Sequence, residues 1–292
     1  MLEEKKNTEN TEKKRNKDSV LSLVKEMRLL NALIAGGVVI LGGYLTPAYI
    51  GMYVYLTALA VVMITIAGNL INDYFDVETD KINRPSRLIP SGRLTKKQAL
   101  LISISLFVVG DILLTILDLN LLKFGLITTF LLIIYTPVLK KRPLIGNITV
   151  SFLLSLTIII GAVASAAFLN LKNSLLPASL IFFLSLPREI LKDGEDFIGD
   201  RTTGLRTFPV VFGIRRTRNL AVLTLWILIL WICFNSIIFG KLFAACAIPG
   251  IVLPVLIMIK RAESTPTWFS NTQRILKLLI VPGVISLILS RG

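Results

Sequence analysis

Long runs of apolar residues alternate with short polar segments along nearly the whole chain after residue 28. A helix needs about 20 mostly apolar residues to cross the hydrocarbon core of a bilayer. Runs of this kind are therefore predicted to be transmembrane helices. The nine predicted spans are residues 29–46, 50–71, 98–117, 120–138, 147–169, 174–191, 219–239, 242–259 and 273–290. The pattern predicts an all-α, polytopic membrane protein.

The segment that precedes the first run has a different character. Residues 1–19 are charged and polar, and they lack the apolar stretch of a signal peptide. We predict a flexible cytoplasmic tail over residues 1–19 and an interfacial helix at Leu21–Arg28. The transmembrane domain is predicted to comprise residues 20–292.

The distribution of Lys and Arg predicts the orientation, because these residues are enriched in cytoplasmic segments. With a cytoplasmic N-terminus, the basic segments 1–28, 72–97, 139–142, 188–218 and 260–277 all lie on the cytoplasmic side. They hold 28 of the 32 basic residues, and the other four lie on the opposite side. We therefore predict an integral protein of the cell membrane whose C-terminus is outside.

Composition narrows the classes of function. Hydrophobic residues make up 54% of the chain and charged residues only 17%, against about 25% in ordinary soluble domains. This composition excludes a soluble enzyme. The net charge is +14, but the charged residues lie in the segments between apolar runs. We therefore predict that the protein interacts with a membrane and not with nucleic acid. Because histidine is absent, a Ser-His-Asp triad and an imidazole metal site are also excluded.

Half of the 18 acidic residues fall in two short windows, residues 72–80 and 189–200. The windows match each other with a shift of 120 residues, which indicates an internal repeat. Four spans separate them, so both face the same side and approach one central cavity. The matching pairs are Asp76 with Asp196, Asp80 with Asp200, and Lys81 with Arg201.

The four-residue spacing within each window has a chemical consequence, because residues four apart share one face of a helix. The resulting stripes of oxygen ligands would be Asn72, Asp76 and Asp80, and Glu189, Asp193, Asp196 and Asp200. Carboxylates this close repel each other, and a divalent cation relieves the repulsion. Oxygen ligands favour Mg²⁺, which completes its shell with phosphate oxygens and water. Two facing stripes therefore suit a diphosphate bridged by two Mg²⁺ ions.

Basic residues surround both windows, and the positive-inside bias accounts for most of them. With a shift of 119 residues, Arg87 aligns with Arg206. Lys192 lies four residues before Asp196, where it can pair with that acid or bind phosphate. The candidate cations for an anionic ligand are Arg28, Arg84, Arg87, Lys140, Lys192 and Arg206.

Two further polar residues lie in or beside predicted spans. Tyr135, at the cytoplasmic end of the fourth span, is either an interface aromatic residue or part of the site. Asp111 lies within the third span, and an acid inside a membrane is a functional candidate by default. No partner for it is evident, so we expect either a structural hydrogen bond or a span boundary that differs from the predicted one.

At these motifs the sequence resembles the UbiA-type intramembrane prenyltransferases. The pattern Asn72-x3-Asp76-x3-Asp80 matches the first motif of the family, and Asp196-x3-Asp200 matches the second. The predicted spans, the cytoplasmic site and the repeat also agree. The resemblance covers nearly the whole chain after residue 20.

The resemblance implies Mg²⁺-dependent transfer of an isoprenyl group from a prenyl diphosphate to a lipophilic acceptor. Two Mg²⁺ ions would be held on the diphosphate by Asn72, Asp76, Asp80, Asp196 and Asp200, with help from Asp73 and Asp193. The diphosphate oxygens would be gripped by Arg28, Lys140 and one or more of Arg84, Arg87 and Lys192. Tyr135 would lie near the allylic bond that breaks.

The choice of acceptor is less constrained. Arg28-x2-Asn31 and the run from Arg188 to Asp200 most resemble the branch of the family that prenylates a glycerol phosphate lipid. We expect geranylgeranyl transfer to geranylgeranylglyceryl phosphate, whose phosphate would meet Arg201 or Arg206. An aromatic acceptor such as 4-hydroxybenzoate or a naphthoate remains an alternative, and a transporter is a remote one. The sequence does not predict an oligomeric state.

Overall fold

The structure is a computed structural model that describes residues 28–46, 51–165 and 171–290, without the side chains of 171–173. The predicted tail over residues 1–19 and nearly all of the predicted interfacial helix lie outside the described residues. The division into tail and transmembrane domain therefore stays a prediction.

Every regular element within the described ranges is helical, which confirms the all-α prediction. The α-helices are α1 (Leu29–Leu45), α2 (Met52–Phe75), α3 (Val77–Asn83), α4 (Lys96–Leu117), α5 (Leu119–Ile134), α6 (Ile145–Ala164), α7 (Leu171–Glu195), α8 (Phe197–Thr202), α9 (Phe208–Phe212), α10 (Ile214–Ala247), α11 (Leu253–Lys260), α12 (Pro266–Leu278) and α13 (Ile280–Leu289). Two π-helical turns, Tyr135–Leu139 and Ile248–Val252, follow α5 and α10.

Seven helical stretches in the described part are long and apolar enough to cross a membrane. They are Met52–Phe75, Lys96–Leu117, Leu119–Leu139, Ile145–Ala164, Ser174–Glu195, Ile214–Lys260 and Pro266–Leu289. Helix α1 is equally apolar but has only 17 residues. These helices confirm the polytopic membrane class, whereas the number of nine crossings stays a prediction.

The stretch Ile214–Lys260 contains a break that the hydropathy pattern also indicates. A straight helix of its 47 residues would be about 70 Å long, more than twice the thickness of the hydrocarbon core. Gly240 interrupts it with φ 84° and ψ −179°, a conformation that is accessible to glycine because it has no Cβ. This residue lies between the predicted spans 219–239 and 242–259.

Helix α1 packs against α6 at a distance that only small residues permit. A Cβ atom on Gly42 would lie 2.1 Å from the carbonyl oxygen of Ile158, and one on Gly161 would lie 1.9 Å from that of Val39. Small residues of this kind let membrane helices approach backbone to backbone. Since α1 also packs on α2, its first turn and the preceding Arg28 are firmly positioned.

Several helix ends differ from the predicted spans, and three of them concern the acidic motifs and the last helix. Helix α2 continues to Phe75 and α7 to Glu195, four residues beyond the predicted ends at 71 and 191, and the last span begins at Pro266 rather than at 273. The hydropathy of the chain falls where charged residues begin. The helix itself continues past that point, because its backbone hydrogen bonds are still formed and charged side chains are paired with residues of other helices. The acidic motifs therefore begin on helices and not in loops.

Candidate active site

The first acidic motif forms a kinked but nearly continuous helical path from α2 into α3. Asp76 joins the two helices with φ −88° and ψ 8°. Its N–H donates to the carbonyl of Asn72 at 2.9 Å, and the N–H of Asp80 donates to the carbonyl of Asp76 at 2.8 Å. The four-residue ladder is therefore maintained, and Asn72, Asp76 and Asp80 follow one another along one face.

The second motif has the same local structure between α7 and α8. Asp196 has φ −84° and ψ 2°. Its N–H donates to the backbone carbonyl of Lys192 at 2.9 Å, and the N–H of Asp200 donates to the backbone carbonyl of Asp196 at 3.0 Å. The shared conformation of the two motifs is the expected consequence of an internal repeat.

The two motifs lie against each other through α3 and α8. The Nδ2 of Asn83 donates to the carbonyl of Asp196 at 3.3 Å, and the hydroxyls of Thr79 and Thr203 are 3.1 Å apart. A Cβ atom on Gly199 would lie 2.2 Å from Oδ1 of Asn83. The glycine therefore permits the close approach of the two halves that the repeat predicts.

Cations from several segments pair with the motif acids. Arg84 Nη2 bonds both carboxylate oxygens of Asp196, at 3.1 and 3.2 Å, and so joins the first half to the second. Lys140 Nζ lies 2.6 Å from Asp76 Oδ2. Each of these ion pairs brings a predicted diphosphate ligand to a predicted metal ligand.

Asp73 and Asp80 share one buried arginine. Arg87 Nη1 lies 3.1 Å from Asp73 Oδ1 and also forms a close ion pair with Asp80. Arg28 Nη2 makes a second contact with Asp73 Oδ1, at 2.9 Å. The carboxylates of the first half are thus largely balanced by arginines.

Two acids of the second half, Asp193 and Asp200, have neutral hydrogen-bond partners. Asn147 donates to Asp193 at 2.9 Å, and the Thr207 hydroxyl donates to Asp200 Oδ2 at 3.1 Å. Asp200 Oδ1 is buried and has no hydrogen-bond partner among the described residues. Burial, together with the negative charges of Asp196 and Asp76, raises the pKa of Asp200 to about 6, although Lys140 and Thr207 act in the opposite direction.

Two groups near Asp200 show the same balance of burial and charge. Burial raises the pKa of Asp80 above its ordinary value, and the nearby Arg87 offsets only part of that rise. Burial by itself would lower the pKa of Lys140, but the adjacent Asp76, with Asp200 and Asp193 further away, raises it overall. The lysine is therefore firmly protonated, and it links the charges of both motifs.

The donor set of the motifs fits Mg²⁺. The ligands are carboxylate and amide oxygens, which Mg²⁺ prefers, and the unpartnered oxygen of Asp200 is a free ligand position. No group of three or more acidic residues in the described part is already arranged around a single metal position. Because Mg²⁺ usually takes only one or two protein carboxylates and completes its shell with substrate oxygens, the arrangement fits a metal–diphosphate complex better than a closed metal cage.

A cavity of about 740 Å³ opens beside the motifs. Six of the predicted site residues line it: Arg28, Asn72, Arg84, Arg87, Tyr135 and Lys192. Asp73, Asp80 and Asp196 adjoin this wall through their ion pairs with lining arginines. The other predicted site residues do not line the cavity: Asp76, Lys140, Asp193 and Asp200. Arg206 is exposed and does not line the cavity, so the structure does not bring this predicted residue to the others.

The rest of the cavity wall is largely apolar. It is built from α2, α4, α5 and α6, with side chains such as Val61, Ile64, Leu114, Leu132, Leu153 and Ile160. The polar and apolar parts form one continuous space, which suits an elongated amphiphile with an anionic head and a hydrocarbon tail.

Tyr135 and Lys140 are connected by the π-helical turn that ends α5. The N–H of Lys140 donates to the carbonyl of Tyr135 at 2.7 Å, and Pro137 within the turn has no N–H to donate. π-Helical turns are frequent at functional sites. The proline at position 137 is the sequence signal that could have indicated this irregular turn.

Asp111 has the structural hydrogen bond that we expected. The Thr129 hydroxyl donates to its Oδ2 at 3.1 Å, while Oδ1 is buried without a hydrogen-bond partner in the described part. A Cβ atom on Gly125 would lie 2.7 Å from that Oδ1. Asp111 itself does not line the cavity.

Sequence reasoning missed several polar residues of the cavity wall. They are Asn69, Asn83, Gln273, Arg274 and Lys277. Glu189 was already assigned to a motif stripe and Arg188 to the second-motif run, and both also line the cavity. The signal for Arg274 and Lys277 was Thr265-Pro266, a helix start with an N-cap and a proline in the first turn. It begins the last membrane helix at Pro266, before the predicted span 273–290 that already contained both residues.

Residues 29–269 match a family model described as the UbiA prenyltransferase family. A digeranylgeranylglyceryl phosphate synthase from Pyrococcus horikoshii is 37% identical over 279 residues, which cover 92% of this chain and 96% of that protein. Both acidic motifs lie within the residues that the family model matches.

Solved structures give the same result for the fold. A structure described as digeranylgeranylglyceryl phosphate synthase in membranes matches with a TM-score of 0.70 and 25% identity, covering 94% of this chain and 99% of that one. A UbiA homolog from Archaeoglobus fulgidus bound to DMAPP and Mg²⁺ matches with a TM-score of 0.67, covering 91% and 99% of the two chains. At 16% identity, the second likeness shows the fold alone.

Proposed function

The chain belongs to the UbiA prenyltransferase family, and we propose that it transfers a geranylgeranyl group from geranylgeranyl diphosphate to the hydroxyl of geranylgeranylglyceryl phosphate. The observation that carries this proposal is the 37% identity to a digeranylgeranylglyceryl phosphate synthase over 92% of the chain. The two acidic motifs beside one amphiphilic cavity supply the chemistry that such a reaction needs.

Two Mg²⁺ ions are proposed at the motifs, held by Asn72, Asp76, Asp80, Asp196 and Asp200 together with diphosphate oxygens. Bound Mg²⁺ neutralises the negative charge that develops on the leaving diphosphate. Arg84, Arg87 and Lys140 are placed to exchange a carboxylate for a diphosphate oxygen, because each already lies beside a motif acid. Arg28 and Lys192, with Asp73 and Asp193 as their neighbours, complete the polar wall.

The remaining cavity residues protect and orient the reacting carbon. As the C1–O bond to diphosphate breaks, C1 acquires positive charge, which the face of the Tyr135 ring can stabilise. The apolar wall holds the prenyl chain and excludes water, which would otherwise capture the cation. The acceptor hydroxyl oxygen then bonds to C1 and loses its proton, giving an ether and free diphosphate.

We also propose that the site faces the cytoplasm and that the protein resides in the cell membrane with its C-terminus outside. The support is the distribution of Lys and Arg, of which 28 of 32 belong to segments on the side of the acidic motifs. The acceptor would enter from the lipid phase, since both substrates carry long hydrocarbon chains.

A transfer assay tests the proposal. Purified protein in detergent would receive radiolabelled geranylgeranyl diphosphate, Mg²⁺ and either geranylgeranylglyceryl phosphate or 4-hydroxybenzoate. We expect labelled double-chain ether lipid, loss of product on chelation of Mg²⁺, and loss of product in Asp76→Asn. Glu78→Gln is the matched control, because the Glu78 side chain is 73% exposed on the same short helix.

Other outcomes of this assay overturn the proposal. Label on 4-hydroxybenzoate alone would assign the protein to prenylation of aromatic acceptors. Absence of Mg²⁺-dependent diphosphate release with every prenyl acceptor would favour a transporter.

A further inference from the structure

A second group of basic side chains lines the cavity on helices that carry none of the cations assigned to the first motif. Arg188 belongs to α7, and Arg274 and Lys277 belong to α12. We call these three residues the α7–α12 basic cluster.

Two members of the α7–α12 basic cluster, Arg274 and Lys277, differ from the cations beside the acidic motifs because they have no acidic partner among the described residues. Arg28, Arg84, Arg87 and Lys140 each pair with an aspartate of a motif. Arg274 and Lys277 have no ion pair or hydrogen bond within the described ranges, so their charge is available to a ligand.

Arg188 is only partly balanced. Its one carboxylate contact is Glu189, and that acid also accepts from Lys192 at 3.4 Å. The Nε of Arg188 is buried and has no partner among the residues that the structure describes. A buried charged donor without an acceptor is costly, and an anionic ligand would supply the acceptor.

The cluster is held rigidly next to the second motif. Glu195, at the end of α7, accepts hydrogen bonds from Ser270 at 2.9 Å and Gln273 at 3.0 Å, both on α12. A Cβ atom on Gly194 would lie 2.4 Å from the ring of Phe269. This tight contact between α7 and α12 fixes Arg274 and Lys277 relative to Arg188.

The positive-inside bias does not account for this placement. It predicts basic residues at cytoplasmic helix ends in general, and Arg201 and Arg206 are residues of that kind, outside the cavity wall. Arg274 is exposed as they are, but it lines the cavity together with Arg188 and Lys277. The cluster instead brings like charges together around a cavity, which is unfavourable unless an anion occupies the space between them.

We propose that Arg188, Arg274 and Lys277 bind the phosphate of the acceptor lipid. This rests on the proposed function, and it separates the acceptor phosphate from the diphosphate at the two motifs. A phosphomonoester carries a charge of about −1.5 to −2 at pH 7, and arginine can bind its oxygens with two hydrogen bonds. The cluster would select phosphorylated acceptors and hold the free glycerol hydroxyl in a defined position relative to the donor.

The test is a comparison of KM values in the Arg274→Gln/Lys277→Gln variant. Loss of charge-assisted hydrogen bonds should raise the KM for geranylgeranylglyceryl phosphate by about tenfold or more, while the KM for geranylgeranyl diphosphate stays within about twofold. With the dephosphorylated acceptor geranylgeranylglycerol, the variant and the wild type should have equal kcat/KM. Lys260→Gln is the control, since Lys260 is exposed and outside the cavity wall.

The outcomes separate the two proposals. If the wild type transfers to geranylgeranylglyceryl phosphate and the variant keeps its KM for this acceptor, or if both KM values rise equally, the phosphate site is wrong. If the wild type makes no ether lipid, the proposed function fails. In that case the cluster is tested by the melting temperature of the protein with geranylgeranylglyceryl phosphate alone. The lipid must raise the melting temperature of the wild type and must not raise that of the variant.

Discussion

The two acidic motifs have one backbone design but opposite ways of balancing their buried carboxylates. Asp80 and Asp200 occupy matching positions on α3 and α8, and both are buried. Seven residues after each of them comes its side-chain partner, which is Arg87 in the first half and Thr207 in the second. One carboxylate is therefore neutralised within the protein, whereas the other has a neutral donor and an oxygen without a partner.

This difference indicates a division of labour between the halves. A carboxylate already paired with a buried arginine mainly stabilises the fold and orients its neighbours. A buried carboxylate without a charged partner is a better ligand for an external cation, because binding relieves its desolvation. We infer that the first half contributes more to stability and the second half more to binding the first Mg²⁺ ion.

The largest expected effect is on stability, in the variant Arg87→Gln. It removes the cation shared by Asp73 and Asp80 and should lower the free energy of unfolding by about 3 to 5 kcal/mol, as for a broken buried ion pair. Thr207→Val, the matching change in the second half, should cost only about 1 to 3 kcal/mol. Reversible unfolding in detergent would measure both variants, with exposed Arg201→Gln as control. Equal losses would contradict the comparison.

The second largest effect is expected in the variant Asp200→Asn, which should lose activity while keeping its stability. Outer-shell partners of a metal ligand typically contribute ten- to hundredfold, so removal of a proposed ligand such as Asp200 should lower kcat/KM by at least about 100-fold. Because the fold raises the pKa of Asp200 to about 6, its ionisation is less favourable in the folded than in the unfolded state, and the charged carboxylate lowers the stability of the fold at pH 7. The melting temperature of the variant should therefore not fall, and a clear fall would indicate a structural role instead.

The smallest effect concerns the contact between the halves, in the variant Gly199→Ala. The new methyl group would displace the side chain of Asn83 and its hydrogen bond to Asp196. Overpacking of this kind should cost about 1 to 3 kcal/mol and lower activity as the motifs separate. Gly37→Ala, where a Cβ atom has nothing within 4 Å, should keep or raise stability. A similar result for both variants would show that the contact is unimportant.

The motif geometry was predictable, whereas the partners were not. Residues at four-residue spacing share a helix face wherever the ladder continues, and the bonds at Asp76 and Asp196 show that it does. The sequence alignment matched Arg87 with Arg206, but the residue in the structurally equivalent position is the next one, Thr207. The residue that contacts the second-half aspartate is Thr207, because the turn after α8 buries this residue and leaves Arg206 exposed.

The sequence alone determined the membrane class, the two motifs and the oxygen-ligand chemistry. These are local properties, because the length of an apolar run and the spacing of acids can be counted along the chain. Only the tertiary structure decided which cations are balanced and which are free. Arg28 meets Asp73 across 45 residues of sequence and Arg84 meets Asp196 across 112. Arginines between apolar runs look alike in a sequence until helix packing places each beside an acid, in solvent or in the wall of the cavity.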